Sequence, residues 1–402
     1  MKKTFISIFF ITLFIYNFSF ADDYLETDFF ENPSIVETSH DISSEPEILS
    51  SNAIVLDRKT LFPLYEKNAY TSVPMASTTK ILTCILALEN CQMDDVVTIS
   101  KNASNITGST LGLKNNTKIS VEDLLYGLML RSGNDCAVAL AEHISGNVEN
   151  FSNLMNAKAY ELGLLNSHFV TPHGLDNENH YTTAYDLAIL TNYALSNKTF
   201  KQIVSTKTKL IFLDSYSKEI SNTNDLLGNL KGVYGVKTGF TFGAGRCLVS
   251  AYSNDNLDII VVILGANTKS IRTKDSKNLI NYISNNYSYK NIYDIINNSF
   301  SNYIPYFNKI YKLEKTTTVP KLNLEKIENY DFPLLEKEIK NLKTKIYTIN
   351  SFNTSISPQS IIGKIEVYND CNLLCSVNII LENNLIPNNW TFYFKKIFSR
   401  YK

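Results

Sequence analysis

The sequence carries little net charge. Its 38 lysines and arginines nearly balance 39 aspartates and glutamates, which leaves a net charge of −1 at pH 7. Without an excess of either sign, nothing in the composition indicates a nucleic acid or an acidic partner. Hydrophobic residues make up 44% of the 402 residues, so most of the chain is expected to fold, and its length suits two domains.

The cysteines include no closely spaced pair of the kind that binds metals. The six are Cys84, Cys91, Cys136, Cys247, Cys371 and Cys375. Cys371 and Cys375 flank a predicted hairpin turn and could form a disulfide outside the cell. Cys84 and Cys91 would lie roughly 10 Å apart along a predicted helix, which is too far for a disulfide. Most of the six are expected to be small buried thiols.

The N-terminal apolar run is shorter than the roughly 20 residues of a membrane span. Lys2 and Lys3 precede it, and Ser19-Phe20-Ala21 follows with small residues at the two positions that a signal peptidase reads. We predict a cleaved signal peptide over residues 1–21 and export of the mature chain; the alternative is an uncleaved anchor. No cysteine stands at the cleavage site, which argues against a lipoprotein. The acidic residues 22–50 are predicted to be poorly ordered.

Apolar patterning divides the rest of the chain into two predicted domains. In residues 51–288, short strand-like runs precede a mostly helical block, and three further strand-like runs follow it. This order predicts an α+β domain in which helices pack on an antiparallel sheet and an all-helical lobe is inserted in the middle. Residues 289–386 alternate short apolar runs with polar turns, which predicts a smaller β-rich domain.

The chain ends on a short amphipathic pattern in residues 387–402. Its large apolar side chains fall at helical spacing beside basic ones, and they are Trp390, Phe394, Ile397, Phe398 and Tyr401. A basic helix with an aromatic face is typical of a membrane-surface anchor. The alternative is a terminal helix docked on the β-rich domain.

Ser77 and Lys80 belong to the tetrapeptide Ser-Thr-Thr-Lys, at the start of an apolar helix. The spacing places both side chains on one helix face, and a helix N-terminus favours the negative charge that develops around a reacting serine. A lysine in a low-dielectric site near another cation can lose its proton and then accept that of the serine hydroxyl. Alone, such a tetrapeptide is more often an ordinary helix start.

A second motif, Ser132-Gly133-Asn134, lies at a break between two predicted helices. A hydroxyl on Ser132 can relay a proton from Lys80 to a leaving amine, and the amide of Asn134 can hold a substrate carbonyl. In isolation the same tripeptide would be no more than a turn that interrupts a helix.

A third motif, Lys237-Thr238-Gly239, ends a predicted strand. Lys237 adds positive charge that disfavours a proton on Lys80 and attracts a carboxylate. Thr238 can hydrogen-bond that carboxylate, and Gly239 lets a substrate backbone lie close to the strand.

The three motifs begin at Ser77, Ser132 and Lys237, so they are 55 and then 105 residues apart. Motifs of these types in this order are those of penicillin-binding proteins and class A β-lactamases. The sequence is similar to the serine-type D-alanyl-D-alanine carboxypeptidases, the low-molecular-mass penicillin-binding proteins of the S11 peptidase family. The similarity covers roughly residues 50–285 and, more loosely, the C-terminal part. Beyond the three motifs it includes Pro172-His173-Gly174-Leu175-Asp176, His180-Tyr181-Thr182-Thr183-Ala184 and Ala244-Gly245-Arg246-Cys247-Leu248.

The resemblance implies a penicillin-binding, β-lactamase-like transpeptidase fold and an acyl-enzyme that removes the terminal D-alanine from peptidoglycan stem peptides. It also implies β-lactams as covalent inhibitors, no metal or cofactor, and a place at the outer face of the cytoplasmic membrane. Backbone N–H groups of Ser77 and Phe240 would form the oxyanion hole. The implied catalytic residues are Ser77, Lys80 and Ser132, and the implied substrate-binding residues are Asn134, Lys237, Thr238, Gly239 and Phe240.

The motifs leave the roles of two arginines and two histidines to be considered. Arg246 and Arg272 are both candidates, by position, to bind the substrate carboxylate, whereas His173 and His180 match a family signature that makes them structural. A β-lactamase is disfavoured because its glutamate stands four residues before an asparagine, while Glu161 stands five before Asn166. The alternatives to a carboxypeptidase are a D,D-endopeptidase of the same fold and a non-catalytic penicillin-binding sensor of the cell wall.

Overall fold

The computed structural model describes residues 45–213, 216–311, 316, 318–327, 329–349, 355–388 and 390–399. The predicted signal peptide and residues 22–44 lie outside the described residues. Residues 45–50, the end of the segment predicted to be poorly ordered, include both exposed and buried side chains. Ile48 is buried, and Ser50 donates from its backbone N and its hydroxyl to the Asp275 carboxylate at 2.8 and 2.6 Å. That carboxylate fixes the start of the described chain.

The first part of the fold mixes strands with helices. Its strands are β1 (Asn52–Asp57), β2 (Pro63–Lys67), β3 (Val96–Thr98), β4 (Lys118–Ser120), β5 (Thr208–Leu213), β6 (Tyr216–Ser221), β7 (Val233–Thr241), β8 (Gly245–Ser253) and β9 (Asp258–Ala266). Its helices are α1 (Lys80–Asn90), α2 (Lys101–Asn105), α3 (Val121–Leu130), α4 (Asn134–Ser145), α5 (Val148–Glu161), α6 (Ala184–Ser196), α7 (Lys198–Ser205) and α8 (Lys269–Asn286).

A five-stranded antiparallel sheet in the order β2-β1-β9-β8-β7 lies at the centre. Both of its faces are covered, so β1 reads as a continuous apolar run. Side chains alternate between the faces of a strand. Ile54 and Leu56 therefore pack with the helical lobe on one face, while Ala53 and Val55 pack with α8 on the other. The predicted antiparallel sheet with packed helices is confirmed.

The helical lobe is inserted between β2 and β7, as predicted. Helix α3 begins at an N-cap, where the Ser120 hydroxyl accepts the Asp123 N–H at 3.1 Å. Between α3 and α4 the chain turns through Ser132, whose φ is +61°. The two-stranded ribbons β3–β4 and β5–β6 lie beside the lobe.

The C-terminal part has its own four-stranded antiparallel sheet, in the order β11-β15-β14-β13, and its own apolar core. Its elements are β10 (Tyr287–Asn291), α9 (Tyr293–Tyr311), β11 (Leu322–Leu324), β12 (Asp331–Leu335), β13 (Lys343–Thr348), β14 (Ile361–Asn369), β15 (Asn372–Leu381) and α10 (Trp390–Ser399). Strand β10 pairs with β12 and carries the chain out of α8 into this part.

Helix α9 is not among the elements predicted from the sequence. Its asparagines, serines and tyrosines have low intrinsic helix propensity, and Pro305 stands inside it. Packing determines the helix instead, because Ile296, Phe300 and Phe307 are buried in the C-terminal core.

The two parts of the chain are joined by polar contacts as well as by the connecting strand. The Tyr289 hydroxyl donates to Asp57 Oδ1 at 2.6 Å, and the Tyr287 hydroxyl donates to the Leu64 carbonyl at 3.3 Å. Lys59 Nζ and an Asp331 carboxylate oxygen lie 3.5 Å apart. These contacts connect the β1–β2 edge of the large sheet to β10 and β12.

Helix α10 presents apolar side chains to the outside. Trp390, Phe394, Ile397 and Phe398 are all exposed, whereas Tyr401 lies outside the described residues. Among the described helices, none combines the length and the apolar character that a membrane span needs. The six cysteines all lie in the described part of the chain and form no disulfide there, so the bridge considered for Cys371 and Cys375 is not formed.

Candidate active site

Ser77 lies in a short 3₁₀ turn, Ala76–Thr79, that leads directly into α1. The turn is held by its own side chains, since the Thr78 hydroxyl donates to the Met75 carbonyl at 2.6 Å and the Thr79 hydroxyl donates to the Ala76 carbonyl at 2.8 Å. Ala76 adopts a left-handed φ of +49°, which is costly for a residue with a Cβ. We call these four residues the nucleophile turn.

Lys80 is the centre of the site. Its side chain is fully buried, and Nζ lies 2.8 Å from Ser77 Oγ. Nζ also donates to Asn134 Oδ1 and to the backbone carbonyl of His173, each at 2.8 Å. The predicted pairing of Ser77 with Lys80 is therefore present, and the carbonyl of His173 is a partner that the sequence motifs do not reveal.

The second motif occupies the break between α3 and α4. Ser132 is buried there, and Asn134 opens α4. The side chain of Asn134 is fixed from two directions, since it accepts from Lys80 and its Nδ2 donates to the Thr107 carbonyl at 2.7 Å. The motif thus contacts Lys80 through the side chain of Asn134.

Asp135 organises the loop that faces this motif. Its buried carboxylate accepts the backbone N–H groups of Leu111, Gly112, Leu113 and Cys136 at 2.9 to 3.0 Å. The backbone N–H of Asn134 donates to the Ser109 carbonyl at 2.7 Å. Asp135 directly follows the second motif, and these contacts give it a structural role beside that motif.

The third motif lies on β7, the edge strand beside the nucleophile turn. Lys237 is buried and its Nζ donates to the Thr238 carbonyl at 3.0 Å, while the hydroxyls of Thr238 and Thr223 lie 2.6 Å apart. Gly239 packs directly on the turn, because a Cβ there would lie 3.1 Å from the backbone N of Ser77. The glycine therefore lets the nucleophile approach the strand.

The segment 172–176 ties this strand to the nucleophile turn. Gly174 has a φ of +88°, and a Cβ on it would lie 1.9 Å from the Ala76 carbonyl oxygen. Asp176 accepts the Thr241 hydroxyl at 2.5 Å and the Gly243 N–H at 3.0 Å, at the end of β7. The sequence motif signalled this segment, but its contacts depend on the tertiary fold.

Two buried histidines support the same region in their neutral forms. Burial, with the nearby positive charge of Lys80 and the other histidine, lowers the pKa of His173 to about 3. Burial, with the charges of His168 and Lys80, lowers that of His180 to about 4. His180 Nδ1 accepts the Val170 N–H, so its Nε2–H donates to the Thr79 hydroxyl at 2.8 Å. Its ring is thereby a support for the nucleophile turn.

The two candidate arginines are both buried but have different neighbours. The guanidinium of Arg246 lies 3.8 Å from the centre of the Phe240 ring, beside the third motif. Arg272, in α8, lies 3.6 Å from Asp225, two residues beyond the Thr223 that contacts Thr238. Glu161 is 63% exposed and pairs with Lys158.

Comparison with known proteins identifies a family for this chain. A family model described as D-alanyl-D-alanine carboxypeptidase, peptidase S11, matches residues 39–268. The D-alanyl-D-alanine carboxypeptidase DacF of Bacillus subtilis is 35% identical over 250 residues, 61% of this chain and 64% of that protein. DacC of Escherichia coli is 35% identical over 250 residues, 59% of this chain and 62% of that protein. The matches span less than two thirds of these relatives.

Solved structures show the same fold. The crystal structure of penicillin-binding protein 6B from Escherichia coli has a TM-score of 0.63 and 26% identity, and it covers 84% of this chain and 96% of its own. The Streptomyces K15 DD-transpeptidase has a TM-score of 0.57 and 34% identity, over 60% of this chain and 98% of its own.

The chain shares its fold with these solved structures and places a buried serine–lysine pair between a helix start and an antiparallel edge strand, so the predicted penicillin-binding fold class is confirmed. The chain belongs to the D-alanyl-D-alanine carboxypeptidase family of serine peptidases, S11.

Proposed function

We propose that the protein is a serine D-alanyl-D-alanine carboxypeptidase that acts through an acyl-enzyme on Ser77. The observation that carries the proposal is the position of Lys80, whose buried Nζ lies 2.8 Å from Ser77 Oγ. A nucleophile within hydrogen-bond reach of a buried base is the arrangement that covalent peptidase chemistry needs.

The partners of Lys80 suit both of its protonation states. A charged ammonium has three N–H donors, and three acceptors surround it at 2.8 Å. Two of these, Asn134 Oδ1 and the His173 carbonyl, can only accept. A neutral amine keeps both and presents its lone pair to the Ser77 hydroxyl. Because full burial disfavours the charged form, Lys80 can take the Ser77 proton as the oxygen attacks.

The reaction then follows from the groups around the turn. Ser77 Oγ bonds to the carbonyl carbon between the two terminal D-alanines, and the backbone N–H groups of Ser77 and Phe240 stabilise the oxyanion. The C–N bond breaks as the leaving D-alanine receives a proton, for which Ser132 is the proposed relay from Lys80. Water then hydrolyses the ester and restores Ser77.

Substrate binding is assigned to the second and third motifs. Asn134, already oriented by Thr107, would hold a stem-peptide carbonyl. Lys237 and Thr238 would bind the terminal carboxylate, and Gly239 and Phe240 would accept the substrate backbone along β7. A β-lactam is recognised by the same groups and acylates the same serine. Peptidoglycan stem peptides are part of the cell wall, so the proposed substrate fits the predicted export.

The test compares three proteins: wild type, Ser77→Ala and the control Ser72→Ala, which removes an exposed hydroxyl from the Asn166 carbonyl. Each is incubated with a pentapeptide ending in D-Ala-D-Ala and, separately, with labelled penicillin, and products are followed by mass spectrometry. We expect release of one D-alanine and an adduct on the peptide that bears Ser77, both lost only in Ser77→Ala. An adduct without D-alanine release would indicate the endopeptidase or the sensor. No adduct in wild type would contradict the acyl-enzyme.

A further inference from the structure

Three metal-binding side chains meet at the end of the helical lobe, away from Ser77. Cys91 Sγ, a carboxylate oxygen of Asp95 and an imidazole nitrogen of His143 all lie within 4.8 Å of one another. Cys91 and Asp95 are half-buried and His143 is exposed. The three donor atoms can therefore be reached from solvent, and none of these residues takes part in the proposed peptidase chemistry.

The positions of Cys91 and His143 follow from α1 and α4. These two helices begin next to each other and also end next to each other. Lys80 opens α1 and Asn134 opens α4, and their side chains meet at the active site. Cys91 follows the last residue of α1, and His143 lies in the last turn of α4. With a rise of about 1.5 Å per residue, the cluster lies about 16 Å from the active site along α1 and about 14 Å along α4.

Asp95 is brought back to Cys91 by a tight turn. The Gln92 N–H donates to Asp95 Oδ2 at 2.8 Å, and the Asp95 N–H donates to the Gln92 carbonyl at 3.2 Å. The start of α3 holds this turn, since the backbone N–H groups of Val121 and Glu122 donate to the carbonyls of Asp95 and Met93. The cluster is therefore positioned by three helices.

The donor set determines which ion suits it. Zn²⁺ takes thiolate, imidazole and carboxylate ligands in a tetrahedral site, whereas Ca²⁺ and Mg²⁺ prefer oxygen ligands. A thiolate and a carboxylate together cancel the two charges of the ion. The carbonyl ends of α1 and α4 add negative potential, because a helix C-terminus attracts cations.

A thiol that coordinates a divalent ion loses its proton, so Cys91 would bind the ion as a thiolate.

We propose that Cys91, Asp95 and His143 bind a Zn²⁺ ion, with a water molecule as the fourth ligand. The ion would draw the three donors together by about 1 Å. It would also link the end of α1 to the end of α4, and so fasten together the two helices that begin with Lys80 and Asn134.

The test uses the full folded protein, freed of metal by a chelator and titrated with Co²⁺ as a spectroscopic substitute for Zn²⁺. We expect one equivalent to produce the charge-transfer absorption of a thiolate–Co²⁺ bond and the visible bands of four-coordinate Co²⁺. Zn²⁺ should displace it. Cys91→Ser should lose the charge-transfer band, and His143→Gln, on an exposed side chain, should weaken binding at least tenfold. Cys371→Ser, which removes an exposed thiol of the C-terminal part, should change neither.

A second readout does not depend on cobalt. Zn²⁺ should raise the Tm of wild type and of Cys371→Ser but not that of His143→Gln, with circular dichroism showing that each variant is folded. A charge-transfer band that persists in Cys91→Ser, or an equal rise of Tm in His143→Gln, would overturn the proposal. Binding of Co²⁺ to wild type without a thiolate band would overturn it as well.

Discussion

Gly174 meets the nucleophile turn through its backbone alone. A Cβ there would lie 1.9 Å from the Ala76 carbonyl oxygen, and the residue has a φ of +88°. Gly163 has a similar φ of +73°, but a Cβ there would meet no atom within 4 Å. Gly174→Ala should therefore suffer both backbone strain and a backbone clash, whereas Gly163→Ala should suffer the strain alone, about 1 to 2 kcal/mol.

We expect Gly174→Ala to lower the free energy of unfolding by at least 2 kcal/mol more than Gly163→Ala and to slow acylation of Ser77. Urea denaturation and the rate of penicillin labelling measure the two effects. Equal losses of stability in the two variants would contradict the packing of Gly174 against Ala76.

His173 and His180 should make stability depend on pH. Their pKa values are lowered to about 3 and about 4 from an ordinary 6.5, chiefly by burial. A group whose pKa is lower in the folded state binds protons mainly when unfolded. The contribution of each histidine to the free energy of unfolding should therefore be fully present above pH 6.5. It should decrease as the pH falls toward 4, by up to about 2 kcal/mol per histidine at pH 5.

Urea denaturation at pH 7.5 and pH 5, with a chelator present, tests this. In His180→Gln the loss of stability between the two pH values should be smaller than in wild type by about 2 kcal/mol. His143→Gln, which removes an exposed imidazole, is the control. A pH dependence in His180→Gln equal to that of wild type would show that the ring is not buried in its neutral form.

The residues proposed to carry the chemistry could be selected from the sequence because each stands in a short motif of characteristic spacing. Ser77 and Lys80 are in contact as expected, whereas the contact of Asn134 with Lys80 was not among the expectations. The carbonyl of His173 was not predictable as a partner of Lys80. Every residue type has a backbone carbonyl, so the sequence does not show which one will accept. The left-handed φ of Ser132 is equally invisible in the sequence.

At the scale of elements, Asp135 controls the loop that flanks the second motif. Its carboxylate accepts four backbone N–H groups. Asp135→Asn replaces one acceptor oxygen by an amide that faces donors, so stability should fall by about 2 to 4 kcal/mol. Acylation should slow too, because the same loop holds Asn134 through Thr107 and Ser109.

Thermal unfolding and penicillin labelling test this, with Asp255→Asn on an exposed turn as the control. Because asparagine is nearly the same size as aspartate, a stable and active Asp135→Asn would mean that the carboxylate does not shape the loop.

Elements were predictable where local pattern and packing agree. The apolar runs of β7 to β9 indicated correct structure, whereas α9 has its apolar residues spread through a polar stretch and depends on contacts with a distant sheet. The cluster of Cys91, Asp95 and His143 also depends on tertiary contacts, so the local sequence pattern does not reveal it. Only the shared direction of α1 and α4 brings His143 to the other two.

At the scale of the whole molecule, the exposed face of α10 suggests a lipid surface. Trp390, Phe394, Ile397 and Phe398 are exposed together, and such a face binds the interface of a bilayer. Removing residues 387–402 should move the protein from the membrane fraction to the soluble fraction, with penicillin labelling unchanged. Retention of the shortened protein in the membrane fraction would favour a different attachment.

The order of the strands in the large sheet has a consequence for when the protein can first act. Strand β9 lies between β1 and β8, so Asn52 pairs with Leu264, and the nucleophile turn needs β7 beside it. A chain still emerging from the ribosome thus has its serine and lysine long before it has the strand that completes their site. Such distant pairings also fold slowly. We therefore expect the nascent protein to lack the proposed activity until nearly two thirds of it has been synthesised.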